Sequence, residues 1–225
     1  MDWSAVFLTL RLALAVCVIL LILGMPIASW LSFTRWRWKF FVESIVALPL
    51  VLPPTVLGFY VLVAMGPSSP LGRWYSSFAG HGLAFTFPGL LIASVIYSLP
   101  FAVQPMAAAF SQVDRNLINA SSILGASRMR TFFRIVLPLS IGGVITGIVL
   151  SFAHTLGEFG VVLMVGGNIP GVTRTISIAI YDHVQALDYG GANRLALLLM
   201  AFSFITLSIT YALNRRIWAV WPLHR

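Results

Sequence analysis

Five predominantly apolar stretches, at residues 6–31, 40–65, 83–110, 135–165 and 195–213, limit the fold of this chain more than anything else in it. Crossing a bilayer's hydrocarbon core takes about 20 apolar residues as a helix. Lipid offers the backbone no hydrogen-bond partner, so a spanning segment must pair its own N–H and C=O groups, as a helix or in a closed barrel. The polar–apolar alternation of a barrel strand is absent. An all-α integral membrane protein with about five transmembrane helices is therefore expected. Composition agrees: 59% of the 225 residues are hydrophobic and 9% charged, where soluble domains run at about half and about a quarter. The fourth stretch would be about 46 Å long as one straight helix, so it must tilt, break or extend past the bilayer. The first stretch is too long for a signal peptide and follows Asp2 rather than a basic segment, so it reads as a retained span.

A net charge of +8 in a soluble chain would point to nucleic acid. Here the basic residues lie between apolar stretches and report topology instead; no nucleic-acid partner is expected. The linkers after the first and third stretches, with the C-terminal end, hold Arg35, Arg37, Lys39, Arg115, Arg128, Arg130, Arg134, Arg215, Arg216 and Arg225. The other two linkers hold Arg73, Arg174 and Arg194. Cytoplasmic loops carry the excess of Lys and Arg, which places the N-terminus outside and the C-terminus in the cytoplasm. Trp36, Trp38, Trp218 and Trp221 flank the cytoplasmic ends, where interfacial tryptophans belong. No internal repeat is visible, which counts against many secondary carriers. Cys17 stands alone, and the four histidines are scattered at 81, 154, 183 and 224. Neither a metal-ligand cluster nor a glycine-rich phosphate loop is present, so no metal site, no bound cofactor and no enzymatic activity are expected of this chain.

One polar segment interrupts this pattern: residues 118–138, INASSILGASRMRTFFRIVLP, in the predicted cytoplasmic linker. It reads as a short amphipathic helix, capped by Asn119, Ser121 or Ser122 and anchored by Ile118, Ile123, Met129, Phe132 and Phe133. Gly125 permits either a left-handed turn or the close approach of another backbone. Pro138 suits the start of the next membrane helix. A basic amphipathic helix serves equally as a lipid-bound interfacial element or as a docking element for a cytoplasmic partner.

The spacing Asn119-Ala120-Ser121-x-x-Leu124-Gly125-Ala126, with nine residues between Gly125 and Ile135, then Ile135-x-Leu137-Pro138, resembles the EAA signature of ABC importer permeases. Asn119 and Ser121 stand where that signature has Glu and Ala; its Gly, Ile, Leu and Pro are present. The resemblance implies that a coupling loop at about 111–134 forms a coupling helix that docks in a groove on a cytoplasmic ATPase subunit. Its contact residues would be Asn119, Ala120, Ser121, Leu124, Gly125, Ala126, Arg128, Ile135, Leu137 and Pro138. With asparagine at 119, a carboxylate's role there is not expected. LPLVLPPTVLG at 48–58, LGEFG at 156–160 and NIPGVTRTI at 168–176 look like stretches of molybdate ABC transporter permeases, with tungstate and sulfate permeases as close relatives. The last of them favours molybdate. The resemblance further implies a type I ABC importer permease fold, a single transmembrane domain over 1–225 without the extra N-terminal helix of some relatives. It places the chain as a multi-pass protein of the bacterial cytoplasmic (inner) membrane. Its assembly would be a permease homodimer with ATPase subunits that bind ATP-Mg and an extracytoplasmic substrate-binding protein, importing molybdate by alternating access.

Individual residues sharpen these expectations. Pro26, Pro49, Pro53, Pro54, Pro88, Pro100 and Pro105 each remove a backbone donor; the Pro53-Pro54 pair is the most disruptive, marking either a pathway or hinge or the ordinary proline content of membrane helices. Glu158 is the only acid deep in a predicted span, an expensive placement. It sits four residues from His154, on the same face if the helix continues. A carboxylate repels an oxyanion, so its role reads as structural or gating: accepting hydrogen bonds from a broken helix, or pairing with an arginine. A proton relay is the lesser reading. Ser94, Ser98, Ser151, Thr155 and Gly157 have the hydroxyls and small size suited to an oxyanion pathway, although membrane serines also pack between helices. Asn168, Thr173, Arg174 and Thr175 are candidates for contact with the binding protein, and Thr173, Arg174 and Thr175 could instead meet the oxyanion, although linker arginines are usually solvated. Arg11 reads as a side chain reaching the outer interface. Two rivals from other classes are a membrane enzyme, which lacks its ligand cluster, and a stand-alone channel or carrier, which leaves 118–138 without a purpose.

Overall fold

The computed structural model describes residues 2–220, with side chains through residue 212. Its helices are α1 (Trp3–Phe33), α2 (Lys39–Val51), α3 (Pro54–Met65), α4 (Pro70–Ala79), α5 (Phe87–Ser111), α6 (Arg115–Ile123), α7 (Arg128–Thr131), α8 (Leu137–Leu139), α9 (Ile141–Gly157), α10 (Gly160–Gly166), α11 (Ile176–Gln185) and α12 (Tyr189–Val220), with a π-helical turn at Phe132–Val136 before α8. No strand occurs among the described residues. Three helices, α1, α5 and α12, are each long and apolar enough to cross a membrane. Two bent pairs bring the number of crossings up to five if each counts as one. Arg215, Arg216 and Trp218 fall in the part of α12 whose side chains are outside the described residues, and Trp221 and Arg225 lie outside them altogether.

The centre is a three-helix packing of α1, α5 and α9. Along α1, Ala5, Leu8, Leu12, Val16, Leu20, Gly24, Ala28 and Leu31 recur every three or four residues and are buried, whereas Phe7, Leu14, Val18 and Ile22 point outward and stay exposed. Both faces are apolar because one meets protein and the other lipid. The α1 core stripe meets Leu90, Ala102, Val103, Met106 and Phe110 of α5 and Val144 of α9. Small residues allow the helices to approach: a Cβ on Gly147 of α9 would lie 2.7 Å from the Ala102 carbonyl oxygen of α5. Helix α12 lies at the periphery against α9 and α11 and is mostly exposed.

The stretch at 40–65 is not one straight helix. It bends by 113° between α2 and α3, where Leu52 and Pro53 are extended. Two successive prolines remove two donors from the ladder, and the residue before a proline is pushed out of the helical region. Single prolines break nothing: Pro26, Pro49, Pro100 and Pro105 lie inside α1, α2 and α5, and Pro88 sits in the first turn of α5, where its missing donor costs little. The stretch at 135–165 is resolved into α8, α9 and α10, with a 75° bend after Leu139 and a second interruption at Glu158 and Phe159. Its excess length is absorbed by breaking. The two interruptions stack on one another, since Gly160 abuts Pro54 and Gly58 abuts Val161 and Met164.

Replacing Gly147 with alanine forces its Cβ into the Ala102 carbonyl and should destabilise the bundle by about 1–3 kcal/mol. A thermal melt of the detergent-solubilised protein reads this as a lowered midpoint. An unchanged midpoint would show that the α5–α9 contact is looser than the geometry requires.

Candidate functional site

The polar segment is two helices, not one. Asp114, rather than Asn119, Ser121 or Ser122, caps α6, accepting from the Asn116 backbone N–H at 2.8 Å. Ser127 caps α7. Between them Gly125 adopts φ +77°, and a Cβ there would meet nothing within 4 Å. Of its two possible roles the left-handed turn is the one used. The Gly125 N–H donates to Ser122 O and the Ala126 N–H to Ser121 O, each at 3.0 Å, the pairing that closes a helix on a left-handed residue. Ser121 is buried and shares a 2.9 Å hydrogen bond with Thr131, tying α6 to α7. Asn119, Ala120, Leu124, Gly125 and Arg128 are exposed, and Ala126 is half-buried.

The segment presents an apolar knob. Ile123 and Leu124 are each 86% exposed and Met129 67%, while Ile118 and Phe132 turn inward against the core. Phe132 meets Phe110 of α5 edge-on at 5.5 Å. Ile135 and Leu137 also pack inward, and Pro138 is exposed. Pro138 has no N–H to offer Arg134 O, and the turn before it widens: the Leu137 N–H reaches back five residues to Phe132 O.

At the second interruption Glu158 is only 3% exposed, and neither carboxyl oxygen has a hydrogen-bond partner among the described residues. It therefore neither pairs with an arginine nor accepts from a broken helix end. Helix α9 stops at Gly157, so Glu158 and His154 do not share a helical face. The Ser94 hydroxyl, also buried, is the polar side chain beside the Glu158 carboxyl. Gly157 is exposed, as are Pro53 and Pro54. The other hydroxyls are spent inside the bundle. Ser98 Oγ lies 2.9 Å from His154 Nδ1 and 3.1 Å from Thr155 Oγ1; Thr155 donates to Ser151 O and Ser151 to Gly147 O, each at 2.8 Å. Ser98 thus joins α5 to α9 through His154 and Thr155, whereas the Ser151 hydroxyl is bonded within α9. The His154 ring stacks on Phe101 with centroids 4.0 Å apart and touches Tyr97 at 4.7 Å.

At the other end of the bundle the 167–175 loop closes on Arg174. Its guanidinium lies 2.9 Å from Asp182 and 3.8 Å from Asp2, and its Nε donates to Asn168 Oδ1 at 2.7 Å. Asn168 Nδ2 in turn donates to Asp182. Two carboxylates offset this arginine, leaving it a strut rather than an open anion site. Thr173 and Thr175 are buried; Thr173 Oγ1 donates to Gly166 O at 2.6 Å. The surface this loop offers is Asn168 and the tip at 169–172. The Arg11 guanidinium lies 4.4 Å over the Phe87 ring, a contact the sequence does not announce.

Residues 20–219 match the protein family described as "Binding-protein-dependent transport system inner membrane component". The chain is 52% identical over 215 residues to the molybdenum transport system permease protein ModB of Azotobacter vinelandii, covering 95% of each. It is 38% identical to the protein of that name in Escherichia coli K12, over 95% of this chain and 94% of that one. A probable sulfate transport system permease protein cysT of Chlorella vulgaris is 30% identical over 93% of this chain and 78% of its own length. Among solved structures, the MetNI methionine ABC transporter in an inward-facing conformation superposes with a TM-score of 0.75 at 16% identity, covering 96% of both chains. A bacterial ABC transporter that imports alginate gives 0.72 at 19% identity, covering 94% of this chain and 79% of that one. These structures share the fold.

A left-handed backbone costs a non-glycine residue about 1–2 kcal/mol, and asparagine least. Gly125→Val should therefore speed amide hydrogen exchange across residues 115–131, whereas Gly125→Asn should leave it near that of the unmodified chain. Equal exchange in all three proteins would mean that the turn does not hold the segment.

Proposed function

This chain belongs to the family of binding-protein-dependent transport system inner membrane components, and we propose that it is the membrane-spanning permease subunit of an ATP-driven molybdate importer. The observation that carries the cargo is its 52% identity, across nearly the whole length of both chains, to a molybdenum transport permease. Tungstate and sulfate are the neighbouring readings, and the sulfate permease among its relatives supports keeping the second. The chain itself is a transport component with no catalytic role. It acts as one transmembrane domain over residues 1–225, in a multi-pass arrangement with the N-terminus outside and the C-terminus in the cytoplasm, as the distribution of basic residues supports.

The proposed assembly is a homodimer of this chain with cytoplasmic ATPase subunits, which hold ATP-Mg, and an extracytoplasmic substrate-binding protein. Ile123, Leu124 and Met129 form the knob that seats in the ATPase subunit. Asn119, Ala120, Gly125, Ala126 and Arg128 surround it; Ser121 holds its two helices together; Ile135, Leu137 and Pro138 link it to α9. A push on the knob reaches α5 through the Phe132–Phe110 contact and α9 through the bend at Ser140. The stacked interruptions at Pro53-Pro54 and at Gly157-Glu158, with Ser94 beside them, are the hinge and gate on which alternating access turns. The 169–172 tip, braced by Asn168, Arg174 and the buried Thr173 and Thr175, meets the binding protein. No group in this pathway presents a dense cluster of positive charge, which suits an ion that must also be released.

Reconstitution in liposomes tests this reading. Molybdate should accumulate only when the chain, its ATPase subunit, its binding protein and ATP are all present. Selective oxyanion flux through the chain alone, without nucleotide, would favour a channel instead. Competition among molybdate, tungstate and sulfate decides the cargo, and preferential uptake of sulfate would overturn the choice made here.

A further inference from the structure

A cavity of about 320 Å³ opens between the end of α1, the start of α2 and the second half of α5. Aliphatic side chains floor it, and its polar residues include Lys39, Glu43, Gln104 and Ser111. Two of these are singular in the sequence. Lys39 is the chain's one lysine beside thirteen arginines, and Gln104 is the only asparagine or glutamine inside the five apolar stretches. Gln104 is exposed and has no hydrogen-bond partner among the described residues. It lies seven residues before the end of α5, about 10 Å into the span at 1.5 Å per residue. An unpaired amide facing lipid there is unfavourable, so a side chain held in that position is expected to face water or a ligand.

Gln104 is also part of a stripe. Tyr97, Phe101, Gln104, Ala108 and Ser111 recur at helical spacing on one face of α5, and all are exposed or half-exposed. At its upper end the stripe meets His154, which stacks on Phe101 four residues before the Glu158 interruption. At its lower end it enters the cavity. Lys39 Nζ stands there 3.3 Å from Glu43 Oε1, and both side chains remain partly open to solvent. The cavity therefore offers an ammonium tempered by a carboxylate, and an amide N–H₂ donor. That combination attracts a tetrahedral oxyanion without trapping it, which conduction requires.

We infer that Lys39 and Gln104 form an oxyanion subsite at the inner end of the translocation pathway, with Glu43 weakening it so that the ion leaves. This rests on the permease reading and assigns it residues; it replaces Ser98, Ser151 and Thr155, whose hydroxyls are internally bonded, as the polar lining of the path.

The test uses liposomes holding the chain with its ATPase subunit and binding protein. Gln104→Leu and Lys39→Met should each lower molybdate uptake about tenfold or more, with Lys39→Arg restoring most of it. Ile96→Ala, an exposed position on another face of α5, should leave uptake unchanged. Glu43→Gln leaves Lys39 uncompensated, so molybdate inside the vesicles should inhibit at lower concentration than in the unmodified protein. Full uptake in both Gln104→Leu and Lys39→Met would overturn the subsite. Should either variant fail to assemble, Gln104→Cys in a Cys17→Ala background supplies a second measurement. In inside-out vesicles a negatively charged thiosulfonate should label it, and molybdate should slow the labelling. An unreactive thiol, or labelling indifferent to molybdate, tungstate and sulfate alike, would also overturn the proposal. If the unmodified complex moves sulfate instead, the cargo reading fails and the same variants are scored with sulfate. If it moves no oxyanion, the permease reading fails, and labelling still reports whether an anion enters the cavity.

Discussion

Everything in this fold depends on the backbone closing its own hydrogen bonds where lipid cannot. Long helices satisfy that condition by themselves, and α1, α5 and α12 are such helices. The interruptions at Leu52-Pro53 and at Glu158-Phe159 do not, and they persist because each is packed against the other. Gly160 admits Pro54, and Gly58 admits Val161 and Met164; a larger residue at either glycine would drive the two breaks apart. A break of this kind is the one place where a membrane helix changes direction without unfolding. These two stacked breaks are therefore mechanically soft points of the bundle.

The same constraint explains the path of the chain from the knob to α9. Between Ser127 and Ser140 the backbone runs through α7, a π-turn and α8, each short and each bonded to the next. Pro138 withholds one N–H, the turn before it widens, and the chain bends 75° into α9. Before this bend the apolar side chains divide: Ile123, Leu124 and Met129 stay exposed, while Ile118, Phe132 and Ile135 pack against the core. A segment so braced suits the lever role proposed above, whereas a basic helix lying in lipid headgroups would need neither the Ser121–Thr131 bond nor the Gly125 turn.

Much of the candidate site is legible in one dimension. The Gly125-to-Pro138 spacing marks the segment proposed to couple, and the Pro53-Pro54 pair marks the first break, because glycine and proline act on their own backbone. The hydroxyls are not legible. Ser94 faces the buried Glu158 carboxyl, Ser98 bonds across to Thr155 of α9, and Ser151 bonds within α9; only the packing of those helices separates them. Arg174 looks like an anion-binding residue until Asp2 and Asp182, distant in sequence, are found against it. Gln104 carried a signal that was available: a lone amide in an apolar stretch, at helical spacing with Tyr97, Ala108 and Ser111.

By itself the sequence determined the solvent, the element type and the breakpoints. Hydropathy, helix-closing glycines and missing proline donors are local properties that need no partner to act. Tertiary structure alone decided which polar groups are free. Whether a serine, a glutamate or an arginine is available to a ligand depends on what stands within about 3 Å of it, and in this bundle those neighbours come from helices far apart in the chain.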